Sequence, residues 1–358
     1  MEERRVYLAG AVRTPIGNFG GALAASSAAH LAGVAATAAI ERSGVPRDAV
    51  DEVLLGHARM AGNGPNLARQ VVRRAGLADA VPAFTIHKAC ASGMQAVVSA
   101  AQSIRLGDSD VALAGGVEHM SSVPYLAMDV RWGRKLGDEP LLDAMYRDGY
   151  LCPICNQLMG ETSETLASEF AIPREEQDRY AQRSNQRAVR AWDEGRFTPR
   201  VVPVSVGEGK RAVTVERDEH PRGETTLDEL AKLRPVFKKD GSVTAGNASA
   251  ITDGAAALVV LSETAVKAHD VKPQAVLLGA VSVGVDPARM GLGPVPATRK
   301  LLAKHQMKLE QIDVIELNEA FASQVLACDR ELKLDHDKLN PNGGGIALGH
   351  PTGMSGTR

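Results

Sequence analysis

Apolar and polar positions follow two rhythms along this chain. In "SSAAHLAGVAATAAIERSG", Leu31, Val34, Ala35 and Ala38 recur at helical spacing. That spacing predicts a helix capped by Ser26 or Ser27 and ended by Gly44. "DEVLLG" and "DVALAGG" are instead short, unbroken apolar runs closed by glycine, the pattern of strands buried on both faces. "AVLLGAVSVGV" and "IDVIEL" repeat the pattern in the second half. Helical and strand segments alternate, which predicts an α/β fold. From about 121 to 244 polar and charged residues take over, with two helices predicted near Thr162–Phe170 and Arg174–Glu194. So long an insertion between core strands usually lies over an active site.

A weak internal repeat underlies the pattern. "AVDEVLLG" (Ala49–Gly56) and "QIDVIELN" (Gln311–Asn318) share an Asp, an apolar strand and a turn residue. "KACASGMQ" and "PTGMSGTR" both place Ser-Gly at a helix start. In the first copy a long helix follows Ser92-Gly93; in the second, two residues follow Ser355-Gly356. The expectation is therefore a duplicated βα unit whose second half is incomplete.

Length and charge narrow the function classes. A chain of 358 residues is large for one simple core, so two lobes or a duplication are expected. A net charge of −2 gives no electrostatic footprint for nucleic acid. No apolar run approaches the roughly 20 residues of a membrane helix, and "MEERRVYLAGAVRTPIG" holds too short an apolar stretch for a signal peptide. The 4 cysteines are too few for a disulfide scaffold, and free thiols suit a reducing compartment. A cytoplasmic enzyme is expected.

Four segments offer chemistry. Cys90 lies between the strand-like "VPAFTI" and the helical "SGMQAVVSAAQSI". Unpaired N–H groups and the positive helix end there would favour a thiolate; a small structural cysteine is the alternative. His350, in the glycine-dense "NPNGGGIALGHPTGMSG", is placed either as the base for such a thiol or as a turn histidine bonded to backbone. In "IELNEAFA", Glu316, Asn318 and Glu319 interrupt an apolar run at a strand end. Asn318 could hold a water or an oxyanion, or cap the helix "EAFASQVLACDREL". "GNASAITDG" presents a small polar surface at Gly246, Ala248 and Ser249, or simply a turn before a buried strand. "CPIC" (Cys152–Cys155) has metal or redox spacing but no second ligand pair nearby, so two free loop thiols and no metal are expected. The glycines of "GNGPN" and "PNGGG" lack a Walker ending.

In order along the chain, "CASGMQAV", "GGVEHMSSVPY", "RGETTLDELAKLRPVF", "GNASAITDGAAA", "GLGPVPA", "NEAFA" and "GGGIALGHPTGMSG" resemble the thiolase family, and "ARQVVRRAGL" matches as well. The resemblance runs from "AVRTPIGNFGG" to Arg358, and acetyl-CoA acetyltransferases look most similar, with 3-ketoacyl-CoA thiolases next. It implies a thiolase fold: duplicated βα units with two central mixed sheets in a layered αβαβα arrangement. The first half would comprise residues 1–120 and 245–268. A covering, coenzyme A-binding loop domain would span 121–244, and the second half 269–358. It implies ping-pong acyl transfer between coenzyme A thioesters without a cofactor. Cys90 would be the nucleophile and His350 its activator. Asn318 would hold a water that stabilises the thioester oxyanion with His350. Arg222, Ser249, Ala245, Phe237, Met159, Met290 and Phe321 would line the substrate site. The family is usually dimeric or tetrameric, and "SSVPYLAMDVRWGRKLGDEPLLD" matches its subunit-contact loop.

Three departures qualify the resemblance. The family's second reactive cysteine, in a glycine-rich C-terminal motif, has no counterpart here, and Cys328 sits in a helical context instead. Leu158 stands where short-chain acetoacetyl enzymes usually carry histidine, and His87 replaces the asparagine three residues before the nucleophile. The expected reaction is 2 acetyl-CoA to acetoacetyl-CoA and coenzyme A. A longer-chain degradative thiolase and a non-catalytic acyl-CoA binder or partner subunit are the alternatives.

Overall fold

The computed structural model describes residues 4–358. Its elements run β1 (Val6–Arg13), α1 (Ala28–Ser43), β2 (Glu52–Gly56), α2 (Leu67–Arg74), β3 (Ala83–Ile86), α3 (Ser92–Leu106) and β4 (Val111–His119). After these come α4 (Met159–Glu169), α5 (Arg174–Asp193), β5 (Thr252–Ser262), β6 (Ala275–Val276), α6 (Pro294–Lys304) and α7 (Ala322–Leu332). One mixed sheet of seven strands has the order β6-β1-β5-β4-β2-β3, with Gly17–Asn18 pairing beside Thr252 and Asp253. The β2–β3 and β2–β4 ladders are parallel and the rest antiparallel.

The sheet sits between helical layers. α1 and α2 cover one face through Leu31, Ala35, Val71 and Val72; α3 covers the other through Ala96, Ala100 and Ile104. Every residue of β4 and β5 is buried, which is why both read as continuous apolar runs. α1 begins and ends as its sequence predicts. Ser27 accepts the His30 N–H at 3.2 Å, and Gly44 closes the helix at φ 78°. A separate core joins α4, α5 and α7 through Leu166, Tyr180, Val325 and Leu326.

Three expectations need correction. Of "AVLLGAVSVGV" only Ala275–Val276 forms a strand, at the sheet edge. "IDVIEL" forms no strand; Ile315 pairs with Leu339 in a single parallel bridge. A buried strand needs hydrogen-bonding neighbours along both edges. Among the described residues these segments have one each, and Leu278 and Val314 are left 63% and 57% exposed. Among the described residues, "IDVIEL" thus contributes a single bridge rather than a strand. Asn318, finally, does not cap the following helix: α7 starts after Phe321, with no side-chain cap.

Candidate functional site

Cys90 lies two residues before α3, after Ala89 at φ 45°. Ser92 braces this turn: its hydroxyl accepts the Lys88 N–H at 2.8 Å and donates to the Ala89 carbonyl at 2.6 Å. Cys90 presents accessible surface, which leaves an approach for a thioester. Protein crowds its other sides, and that loss of water pushes the thiol above its ordinary 9.0. The positive charge of Arg59 and the residue's own backbone N–H pull the other way without prevailing. The helix start alone therefore does not set the thiol, contrary to the expectation from sequence.

Close backbone contact brings His350 to this helix start. A side chain on Gly56 would overlap the Gly93 amide, and one on Gly116 would overlap the Gly353 carbonyl. Glycine at these positions lets the ends of β2 and β4, the start of α3 and the turn 351–356 meet directly. Glu118, at the end of β4, ties them together. It accepts the N–H of Ala58 at 3.2 Å, of Arg59 at 2.9 Å and of Gly353 at 2.8 Å, and the Thr352 hydroxyl at 2.5 Å. His57 Nε2 lies 3.2 Å away, close enough for charge interaction but not aligned as a hydrogen bond. Burial pushes the Glu118 carboxyl up, but the adjacent His57 ring and the Thr352 and Arg59 donors outweigh it and hold the pKa below the ordinary 4.5.

His350 is 5% exposed and hydrogen-bonded on both ring nitrogens. Nε2 lies 3.3 Å from Asn318 Nδ2, and Nδ1 lies 2.6 Å from Ser355 Oγ. The Asn318 amide donates, so Nε2 carries the lone pair. Nδ1–H then donates to Ser355, whose hydroxyl donates to the Pro351 carbonyl at 3.1 Å. Burial first, then the cations Arg358 and Arg59, push the imidazole down to about 3. It is neutral at ordinary pH and available as a proton acceptor.

Glu319 holds the glycine-rich loop in place. Its buried carboxylate accepts from Tyr180 at 2.8 Å, Ser184 at 2.6 Å, Asn340 at 3.0 Å and the Ile346 N–H at 3.2 Å. A side chain on Gly344 would overlap this carboxylate. Asn318, one residue earlier, is thereby fixed beside His350.

The other expected site residues fall into groups. Ser249 donates its N–H to Ala320 at 2.9 Å, and Ala248 bridges Phe321. Phe321 meets Phe237 edge-on at 6.0 Å, and Phe237 packs over Gly160, next to Met159 at the start of α4. These residues form one wall, joined to the histidine by the His350 N–H bond to Ala250 at 3.2 Å. Met290 precedes Gly291, which packs between α4 and α7. Arg222 bonds through its N–H to Asn185 of α5 at 2.9 Å, and Ala245 is exposed. Among the described residues, no hydrogen bond links Arg222, Ala245 or Met290 to Cys90 or His350. A cavity of about 460 Å³ lies along α4, lined by Glu161, Glu164 and Glu169 together with Phe237 and Lys238. Cys152 ends one strand of a short hairpin and Cys155 lies in its turn, and no described cluster of three or more His, Cys, Asp or Glu could hold a metal.

Sequence reasoning passed over Glu118, although it lies inside "GGVEHM", as well as His57, Arg59, Thr352 and Ser355. The signal was an acid in an otherwise continuous apolar strand.

Comparison with known proteins fits this geometry. Residues 6–264 match the thiolase N-terminal domain and residues 271–358 the thiolase C-terminal domain. A probable acetyl-CoA acyltransferase of Staphylococcus aureus (strain COL) is 48% identical over 99% of this chain and 90% of its own length. An acetyl-CoA acetyltransferase of Escherichia coli K12 is 47% identical with the same coverage. The crystal structure of the Bacillus anthracis acetyl-CoA acetyltransferase superposes with a TM-score of 0.97 at 46% identity, over 99% of this chain and 90% of that one. Human mitochondrial 3-ketoacyl-CoA thiolase in complex with CoA gives 0.95 at 44%, over 99% and 89%. The expectation of an incomplete second half is not borne out, since the C-terminal domain match spans 271–358. With both domains matched in order and the fold shared almost throughout, the chain belongs to the thiolase family.

Proposed function

We propose that the protein transfers acyl groups between coenzyme A thioesters through an acyl-enzyme on Cys90. His350 Nε2 takes the thiol proton. The sulfur then attacks the thioester carbonyl, and coenzyme A leaves as its thiol once it recovers that proton. Among the described residues Asn318 Oδ1 has no hydrogen-bond partner, so it is an acceptor for a water or substrate donor beside His350. The Cys90 backbone N–H faces the sulfur and is placed to serve the carbonyl oxygen of the acyl-enzyme.

The observation that carries this reading is the buried, neutral His350 held between Asn318 and Ser355 on the turn that packs against the Cys90 helix. The wall formed by Ser249, Phe237, Phe321 and Met159, together with Arg222, Ala245 and Met290, would receive the thioester, with the segment 121–244 supplying its Met159, Arg222 and Phe237 side. The substrates are coenzyme A and its acetyl and acyl thioesters, no cofactor takes part, and the enzyme works in the cytoplasm as a dimer or tetramer. No helix among the described residues is long and apolar enough to cross a membrane.

The test is thiolysis of a 3-ketoacyl-CoA by free coenzyme A, followed by loss of its enolate absorbance. Wild type is expected to turn over and Cys90→Ala to be inactive. Undiminished turnover in the variant would sink the mechanism.

A further inference from the structure

Arg59 stands out among the buried charges. A guanidinium is rarely enclosed without an anion to pair with. Arg59 is 5% exposed, and among the described residues its Nε has no hydrogen-bond partner, although the guanidinium also bonds the Tyr150 hydroxyl. Glu118 takes the Arg59 backbone N–H, but its two oxygens are already filled by backbone amides and Thr352. The guanidinium instead lies against Tyr150, 5.1 Å from Cζ to the ring centroid, and beneath Gly149, where any side chain would overlap it.

Arg59 lines a cavity of about 170 Å³ whose walls include Ala58, Val123 and Ala144. His87 and the exposed Asp148 complete its polar part, and Asp148 forms no ion pair with Arg59. Cys90 and His350 do not line the cavity, but the Ala58 and Arg59 amides at its wall share the Glu118 carboxylate with Thr352 and Gly353 of the His350 turn. His87 is three residues before Cys90, and the Arg59 charge acts on both the Cys90 thiol and the His350 imidazole. Tyr150, packed on Arg59, feels Cys90 in turn.

Small apolar walls ending in an unpaired cation suit a short aliphatic chain with an anionic far end. We propose that Arg59, with His87, binds a terminal carboxylate on the acyl group, so that the preferred acyl donors are coenzyme A thioesters of dicarboxylic acids. A carboxylate would accept two parallel N–H bonds from the guanidinium. An uncharged acyl chain would leave that cation unpaired and is disfavoured for that reason. The proposal rests on the thiolase reading: Cys90 must first accept an acyl group. That step forms the Cys90 sulfur–carbonyl bond, breaks the coenzyme A sulfur–carbonyl bond and releases coenzyme A as the thiol.

The test offers the full chain adipyl-CoA or hexanoyl-CoA, matched in carbon number, and reads acyl adducts on Cys90 by mass spectrometry. Adipyl transfer is expected to be at least about tenfold faster. Arg59→Met should collapse that ratio, and Arg59→Lys, which keeps the charge, should retain part of it. Equal or faster hexanoyl transfer in wild type overturns the subsite without needing any variant. So does a folded Arg59→Met that keeps the preference. Acetyl-CoA is the third arm. If it acylates Cys90 and neither six-carbon thioester does, the subsite is wrong and the thiolase reading stands. If acetyl-CoA also leaves no adduct, the acyl-enzyme reading falls, and the subsite with it.

Discussion

Replacing Glu118 by Gln tests whether one buried carboxylate holds the two catalytic segments together. The change keeps shape and removes charge. Oε2 accepts from Ala58, Thr352 and Gly353, while Oε1 accepts from Arg59 and faces His57. A glutamine keeps its oxygen on the richer side and turns its NH₂ toward the Arg59 amide and His57. One firm donor and one weaker one then lose their acceptor. A buried unsatisfied donor costs about 1–3 kcal/mol, so the loss should be about 2–4 kcal/mol. That is a large share of the roughly 5–15 kcal/mol that stabilises a typical domain. Urea denaturation should show a lower midpoint at unchanged slope. The pH dependence has a definite sign. Glu118 titrates below 4.5 in the folded state, so its stabilisation is present above that pH and fades as pH falls through the folded pKa. The gap between wild type and Glu118→Gln should therefore narrow in acid. Acylation of Cys90 should slow as well, because Gly353 and Thr352 position the His350 turn. A variant within about 0.5 kcal/mol of wild type at neutral pH, a change typical of a surface site, with normal acylation would refute this account.

Other outcomes follow from the same geometry. Alkylation of Cys90 by iodoacetamide should keep accelerating above pH 9.0, because burial raises the thiol; a plateau near neutrality would show that Arg59 and the helix start prevail. His350, held down to about 3, should show no ionisation between pH 5 and 8 by NMR, and an ordinary histidine titration there would refute the buried neutral form. Its stabilisation is present above 6.5 and declines as pH falls from there toward 3, adding to acid sensitivity. Gly353→Ala would drive a methyl group into the Val117 carbonyl; overpacking of this kind costs about 1–3 kcal/mol, read as a lower melting temperature. Glu319→Ala strands the Tyr180, Ser184 and Asn340 donors and should both destabilise the fold and loosen Asn318, lowering acylation; unchanged activity would separate Asn318 from that network.

Local pattern determined a good deal by itself. The 3.6-residue rhythm and the Ser27 and Gly44 signals place α1 almost to the residue, and the unbroken apolar runs at Glu52–Gly56 and Val111–His119 are buried strands. Cys90 before a helix, and the order of Asn318 and His350 downstream, are also legible because the chemistry is written in adjacent residues. What tertiary structure decided depends on partners far away in the chain. "AVLLGAVSVGV" has strand composition, yet only Ala275–Val276 finds an edge to pair with. The helix start at Cys90 suggests a lowered thiol pKa, and crowding by distant segments raises it instead. Glu118 looks like an interruption in an apolar strand until Ala58, Arg59, Thr352 and Gly353 converge on it from two other parts of the sequence. Periodicity is a property of neighbours along the chain; desolvation and charge pairing are set by whatever folding brings alongside, and Arg59, buried with no anion paired to it among the described residues, shows that only in three dimensions.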